Sequence, residues 1–195
     1  MKQPTPIEDC EQEDKDLALR APHDGLAFAL LYERYYPLLH KYAYYRTGDA
    51  QTADDLTALI FEKALKSLPR YQPNKNTFRA WLFGIARHTL ADHHRAEKRD
   101  LPLQDQIPHS LAANDPQPEE RLLQSESGQA LHAALTQLNP RDKDLLALKF
   151  AGGLTNREIA RVSKLTETHV GVLLYRALKQ LRQILTPMEE THENE

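Results

Sequence analysis

Between Thr77 and Arg99 the chain reads TFRAWLFGIARHTLADHHRAEKR. At about 100° per residue, Phe78, Trp81, Leu82, Ile85 and Thr89 share one side of a helix. Arg87, His94 and Lys98 take the opposite side, with Arg79, Arg95 and Arg99 on the flanks. Arg79, Arg87, Arg95 and Lys98 are suited to holding phosphates by charge and hydrogen bonds. Just upstream, Asn74 and Asn76 each offer a donor and an acceptor, the pairing an unstacked base edge requires. This is the chemistry of nucleic-acid binding. Nothing in the sequence resembles a nucleophile–base pair or a glycine loop that cradles phosphate. His88 and Asp92 stand one helical turn apart beside His93 and His94, but no third ligand shares their face. The expectation is therefore no metal, no cofactor and no enzyme. Trp81 lies on the apolar stripe and reads as core rather than as a stacking platform.

The elements that must carry these residues are helices. Leu26, Phe28, Leu31, Tyr32, Tyr35, Leu38, Leu39 and Tyr42 recur at helical spacing, with Pro37 predicting a kink or break. Gly48 is placed to stop that helix and Asp49 to cap the next. Ala53, Leu56, Leu59, Ile60 and Ala64 continue the pattern until Pro69. Arg70 to Asn76 is a turn-rich loop. Residues 100–118 differ in kind: they hold four prolines, three aspartates and no Lys or Arg. They read as an extended acidic linker. Beyond it, Asn139-Pro140 starts a helix that Gly152-Gly153 stops. Thr155 and Glu158 have capping-box spacing. A short helix, a turn at Ser163-Lys164-Leu165 and a long helix capped by Thr166 give residues 155–182 the proportions of a helix-turn-helix. Its second helix opens with Glu167, Thr168 and His169, where base edges are met.

The fold class is all-α. Two small helical domains, 17–99 and 119–186, are joined by the acidic linker 100–118, each expected to build its own core. Residues 1–16 and 187–195 carry −4 each, which leaves +5 on the remainder of a chain whose net charge is −3. Both ends read as solvated, disordered acidic tails. No apolar run is long enough to span a membrane. The N-terminus is not a secretory signal, and Cys10 is the lone cysteine. A cytoplasmic location follows as the expectation.

Three blocks in order resemble the extracytoplasmic-function class of bacterial sigma factors: 27–56 (AFALLYERYYPLLHKYAYYRTGDAQTADDL), 78–95 (FRAWLFGIARHTLADHHR) and 138–165 (LNPRDKDLLALKFAGGLTNREIARVSKL). The resemblance implies a non-enzymatic subunit that binds core RNA polymerase and directs promoter recognition and opening. It implies that the helix with Asp54, Asp55, Thr57 and Glu62 docks on the polymerase clamp. It assigns −10 DNA to Tyr71, Asn74, Lys75, Asn76, Arg79, Arg87, His88, Arg95 and Lys98. It assigns −35 DNA to Arg157, Thr166, Glu167, Thr168, His169, Arg176 and Lys179. It also implies an anti-sigma factor as partner. A stand-alone helix-turn-helix regulator of duplex DNA is the alternative, which the 27–99 block disfavours.

Two departures from the class stand out. Ala58 and Leu59 occupy positions where the class often has a polar Gln-Glu pair. Gly171 and Leu173 stand where it usually places Lys and Arg, so −35 recognition is expected to be weak or unusual.

Overall fold

The computed structural model describes residues 6–100 and 126–189. The chain forms α1 (Pro6–Arg20), α2 (Gly25–Thr47), α3 (Ala50–Ser67) and α4 (Phe78–Asp100), with a 3-10 turn at Leu68–Arg70. After the linker come α5 (Glu126–Thr136), α6 (Pro140–Leu146), a π turn at Ala147–Ala151, α7 (Asn156–Ser163) and α8 (Glu167–Glu189). The described residues contain no strand. Most of the expected linker, and the C-terminal tail from residue 190 onward, lie outside the described residues.

Local chemistry sets the helix ends. Gly48 adopts φ 83, and its N–H donates to the Tyr44 carbonyl, closing α2. The Asp49 carboxylate accepts from the Thr52 N–H at 2.7 Å and opens α3. Asn139 caps α6 by accepting from the Asp142 N–H at 2.9 Å. Thr155 and Glu158 form the reciprocal capping box of α7. Pro37 does not break α2, which runs unbroken through it with Tyr35 and Leu39 buried on either side. The helix expected over 141–151 instead widens after Leu146, where the Gly152 N–H donates to the Ala147 carbonyl at 3.0 Å.

Two expectations are corrected. The first concerns residues 1–16, read as a disordered acidic tail. Most of this segment lies in α1, because one of its acids has a buried purpose. Asp14 is only 3% exposed and accepts from the Tyr35 hydroxyl and the Arg34 guanidinium on α2. Leu17, Ala18 and Ala21 pack beside it.

The second correction concerns the core, expected to be two and found to be one continuous cluster. Tyr42 and Phe83 are fully buried and meet edge to face at 5.5 Å. The Tyr42 hydroxyl donates to Asp144 across 102 residues. The Phe83 ring lies over Gly152. Length and composition do not record that large buried side chains of the first half, Tyr42 and Phe83, reach into the second.

Candidate polymerase and nucleic-acid interfaces

Three candidate surfaces meet different fates. On α3, Asp54, Asp55 and Glu62 are exposed. Asp54 accepts from the Tyr36 hydroxyl at 2.9 Å and lies 3.2 Å from His40 Nε2. Lys66 bonds Glu62 and holds its carboxyl below the usual range. Thr57 departs from its expected role: it is fully buried, and its hydroxyl donates to the Ala53 carbonyl at 2.7 Å. One turn along the outer face, Leu59 is 38% exposed and Ala58 is also exposed, so both class departures stand at the surface.

The −10 candidates divide. Asn74, Lys75, His88 and Arg95 are exposed and Asn76 is half-buried. Arg95 pairs with Asp92 at 2.6 Å. The Lys98 side chain lies outside the described residues. Tyr71 is corrected from base contact to loop support. It is 7% exposed, its hydroxyl donates to the Asn76 carbonyl at 3.1 Å, and its ring packs on Phe78 and Trp81. Burial, helped by Asp14 and Glu11, pushes its phenol up to about 12. Trp81 is half-buried in this aromatic group, with Phe78 at 5.5 Å.

Arg79 and Arg87, the central phosphate candidates, are engaged within the protein. Arg79 Nη1 donates to the Gly153 carbonyl at 3.1 Å. Arg87 Nε donates to Asp144 Oδ2 at 2.8 Å. Asp144 is 6% exposed, and Arg46 Nη1 lies 3.7 Å from its other oxygen. Arg46 also donates to the Pro140 carbonyl at 2.9 Å. A second junction joins two helix caps. Thr77 Oγ1 accepts from the Ala80 N–H at the start of α4 and donates to Glu158 Oε1 at 2.6 Å. Sequence reasoning missed Tyr42, Arg46, Thr77, Asp144 and Glu158 as a group. The one local signal was Asp144 itself, a carboxylate followed directly by the buried Leu145 and Leu146.

The −35 candidates Arg157, Thr166, Glu167, Thr168, His169, Arg176 and Lys179 are all exposed. α7 and α8 pack as the two helices of the expected motif, with Lys164 in the left-handed region (φ 57) between them. His169 Nε2 lies 3.0 Å from Arg141 Nη2, which orients the imidazole at the helix start. Among the described residues, no cluster of three or more His, Cys, Asp or Glu is arranged to hold a metal. No described helix is long and apolar enough to cross a membrane.

Comparison with known proteins decides between the readings. Sigma-70 region 2 matches residues 31–100, and Sigma-70 region 4 matches residues 128–181. The chain is 32% identical over 174 residues to the ECF RNA polymerase sigma factor ShbA of Streptomyces griseus, spanning 85% of this chain and 87% of that one. The chain belongs to the extracytoplasmic-function sigma factor family. It is also 36% identical over 161 residues to the sigma factor BldN of Streptomyces coelicolor, covering 82% of this chain but only 60% of BldN's own length. In fold it is similar to CnrH, solved in complex with the cytosolic domain of CnrY, at a TM-score of 0.69 and 23% identity over 90% of this chain and 98% of that one. In this sigma factor, the region 2 match falls on α2–α4 and the region 4 match on α5–α8, while α1 precedes both. The surfaces described above thus fall where the two regions lie, and the stand-alone regulator is disfavoured.

Proposed function

We propose that this protein binds core RNA polymerase and directs promoter recognition and opening in the cytoplasm. The observation that carries the reading is the presence, on one chain and in order, of regions 2 and 4. Supporting it, the acidic face of α3 is open to a partner through Asp54, Asp55 and Glu62. The loop 71–76 presents Asn74 and Lys75, with Tyr71 bracing it from inside. Arg79, Arg87 and Arg95 follow on α4 as phosphate ligands for a melted −10 strand, with His88 beside them. The start of α8 offers Glu167, Thr168 and His169 to a −35 major groove, with Arg157, Arg176 and Lys179 for the backbone. An anti-sigma factor is the expected inhibitor. A solved relative at 18% identity, the sigma factor RpoE of Bartonella quintana, is itself in complex with the anti-sigma factor NepR. Run-off transcription with core polymerase and mapped start sites tests the function. Transcripts that begin at defined promoters are expected, and failure to bind core polymerase would overturn it.

A further inference from the structure

Residues from α2, α5, α6, α8 and the π turn wall a cavity of about 280 Å³ that the promoter reading leaves unused. Leu131 and Leu135 stand one turn apart on α5, Leu178 and Leu181 on α8, and Phe150 comes from the π turn. Phe150 is 62% exposed and Leu178 41%, so water meets large apolar side chains here. α2 supplies Tyr45 and, one turn before it, Lys41. A second lysine, Lys143 of α6, lines the same space. Among the described residues, no carboxylate lines it. The two acids that flank Lys143 are engaged elsewhere: Asp142 bonds the Asn139 cap at 2.6 Å, and Asp144 bonds Arg87 at 2.8 Å. Lysine stems often cover apolar surface while the ammonium reaches water. Lys143 departs from that habit. It is half-buried, and burial first, then the Arg46 charge, hold its pKa below the ordinary value. A mostly apolar hollow with a few convergent polar groups is the usual form of a small-molecule site. Here the charged groups are both cations.

We propose that this cavity binds a small amphipathic anion, a medium-chain carboxylate such as octanoate, with its alkyl chain among the leucines and Phe150 and its carboxylate on Lys143 and Lys41. The alkyl chain and the cavity wall remove apolar surface from water together. The carboxylate supplies the counter-charge that the half-buried ammonium lacks, through a charge-assisted hydrogen bond. An alkyl alcohol of the same length gains the first effect without the second. An alkylammonium meets like charge. The ligand binds the folded chain and not the unfolded one, so it raises the melting temperature. The inference is independent of the promoter reading, because no lining residue is among the proposed polymerase or DNA ligands.

Octanoate, octanol and octylammonium, each kept below its micelle-forming concentration, are titrated into the full chain by isothermal titration calorimetry. Octanoate is expected to bind saturably, roughly five-fold or more tightly than octanol, and to raise the melting temperature. Octylammonium is expected to give no saturable heat. Lys143→Met keeps the bulk of the stem and removes the charge, so the preference for octanoate should fall toward parity while octanol binding persists. Lys41→Met serves as the second variant should Lys143→Met lose helical signal in circular dichroism, and it is expected to narrow the preference in the same direction. Equal binding of octanoate and octanol by the wild type overturns the anion site, as does a preference that persists in the folded lysine variants. Absence of saturable octanoate binding, as when another segment of the chain fills the cavity, overturns the site outright. Run-off transcription reports on the promoter reading alone, because neither variant alters a proposed polymerase or DNA ligand.

Discussion

The Phe83 ring of α4 fills the space where a side chain at Gly152 would stand, across the junction between the two sigma regions. A Cβ built on Gly152 would lie 2.7 Å from Phe83 Cε1, 2.8 Å from Leu154 Cδ1 and 2.9 Å from the Leu148 carbonyl. The backbone φ at Gly152 is −76, so any residue can adopt it, and the demand for glycine is one of space. Gly152→Ala is expected to cost about 1–3 kcal/mol by overpacking, because the Leu148 carbonyl cannot swing aside. Urea unfolding measures the loss, and an unchanged midpoint would show that the junction yields freely.

Asp14 gives α1 its reason to dock. Asp14→Ala strands the buried Tyr35 hydroxyl and releases Arg34, at a cost of about 2 kcal/mol. Burial and the adjoining Asp14 carboxylate raise the Tyr35 phenol above its ordinary value, so Tyr35 remains the donor throughout the physiological range. In a Tyr35→Phe background the Asp14→Ala penalty should shrink, which a double-mutant cycle reads directly. Deleting residues 1–16 is accordingly expected to lower thermal stability, an outcome a free tail would not produce.

His132 makes the junction sensitive to pH. Its ring fills the space over Gly48, where a Cβ would come within 2.6 Å of Nε2, and it packs on Tyr44. Burial first, and then the Lys143 charge, lower its pKa from the ordinary 6.5. The folded state therefore disfavours the protonated ring. This contribution to stability is intact above the unfolded value and is lost as pH falls through the lowered folded value. Unfolding free energy should drop between pH 7.5 and pH 5.5, and His132→Gln should flatten that part of the decline. Equal slopes in both proteins would remove His132 from the account.

The cation-poor recognition helix makes a quantitative claim. Gly171 is half-buried, and the nearest atom to a Cβ built there is Asn156 Nδ2 at 3.9 Å, so the position has room for a side chain. In the full chain, binding to a −35 duplex is expected to be weak with a shallow dependence on salt. Gly171→Lys should steepen the slope of log K against log salt by about 0.9 if it gains one phosphate contact. A steep slope in the wild type would contradict the expectation.

What the sequence made legible was local. The caps at Asp49, Asn139 and Thr155 follow from side chains that reach amides three residues away, so spacing alone reveals them. Gly48 likewise announces a left-handed stop. Lys164 takes the same conformation without a glycine to announce it, although the turn itself was visible. The three ordered blocks were enough to give the family. What stayed hidden depends on distance along the chain. Asp144 meets Tyr42 across 102 residues and Arg87 across 57, and no periodicity records such pairs. Thr57 and Tyr71 were placed at the surface by resemblance, while their neighbours Ala53 and Asn76 draw their hydroxyls inward. Asp14 looked like one more acid in an acidic run, because its partner Tyr35 belongs to the next helix.

Trp81 is the chain's one tryptophan, and it borders a cavity of about 470 Å³ whose far wall is Arg161, Val162 and Lys164 of region 4. The protein thus carries an optical reporter at the seam between its halves. Excited at 295 nm, it has a single emitter, whose colour and quenching by iodide or acrylamide follow how much water enters that cavity. Any change at that seam when promoter DNA is added can be timed in a stopped-flow mixer on the unlabelled, unaltered chain.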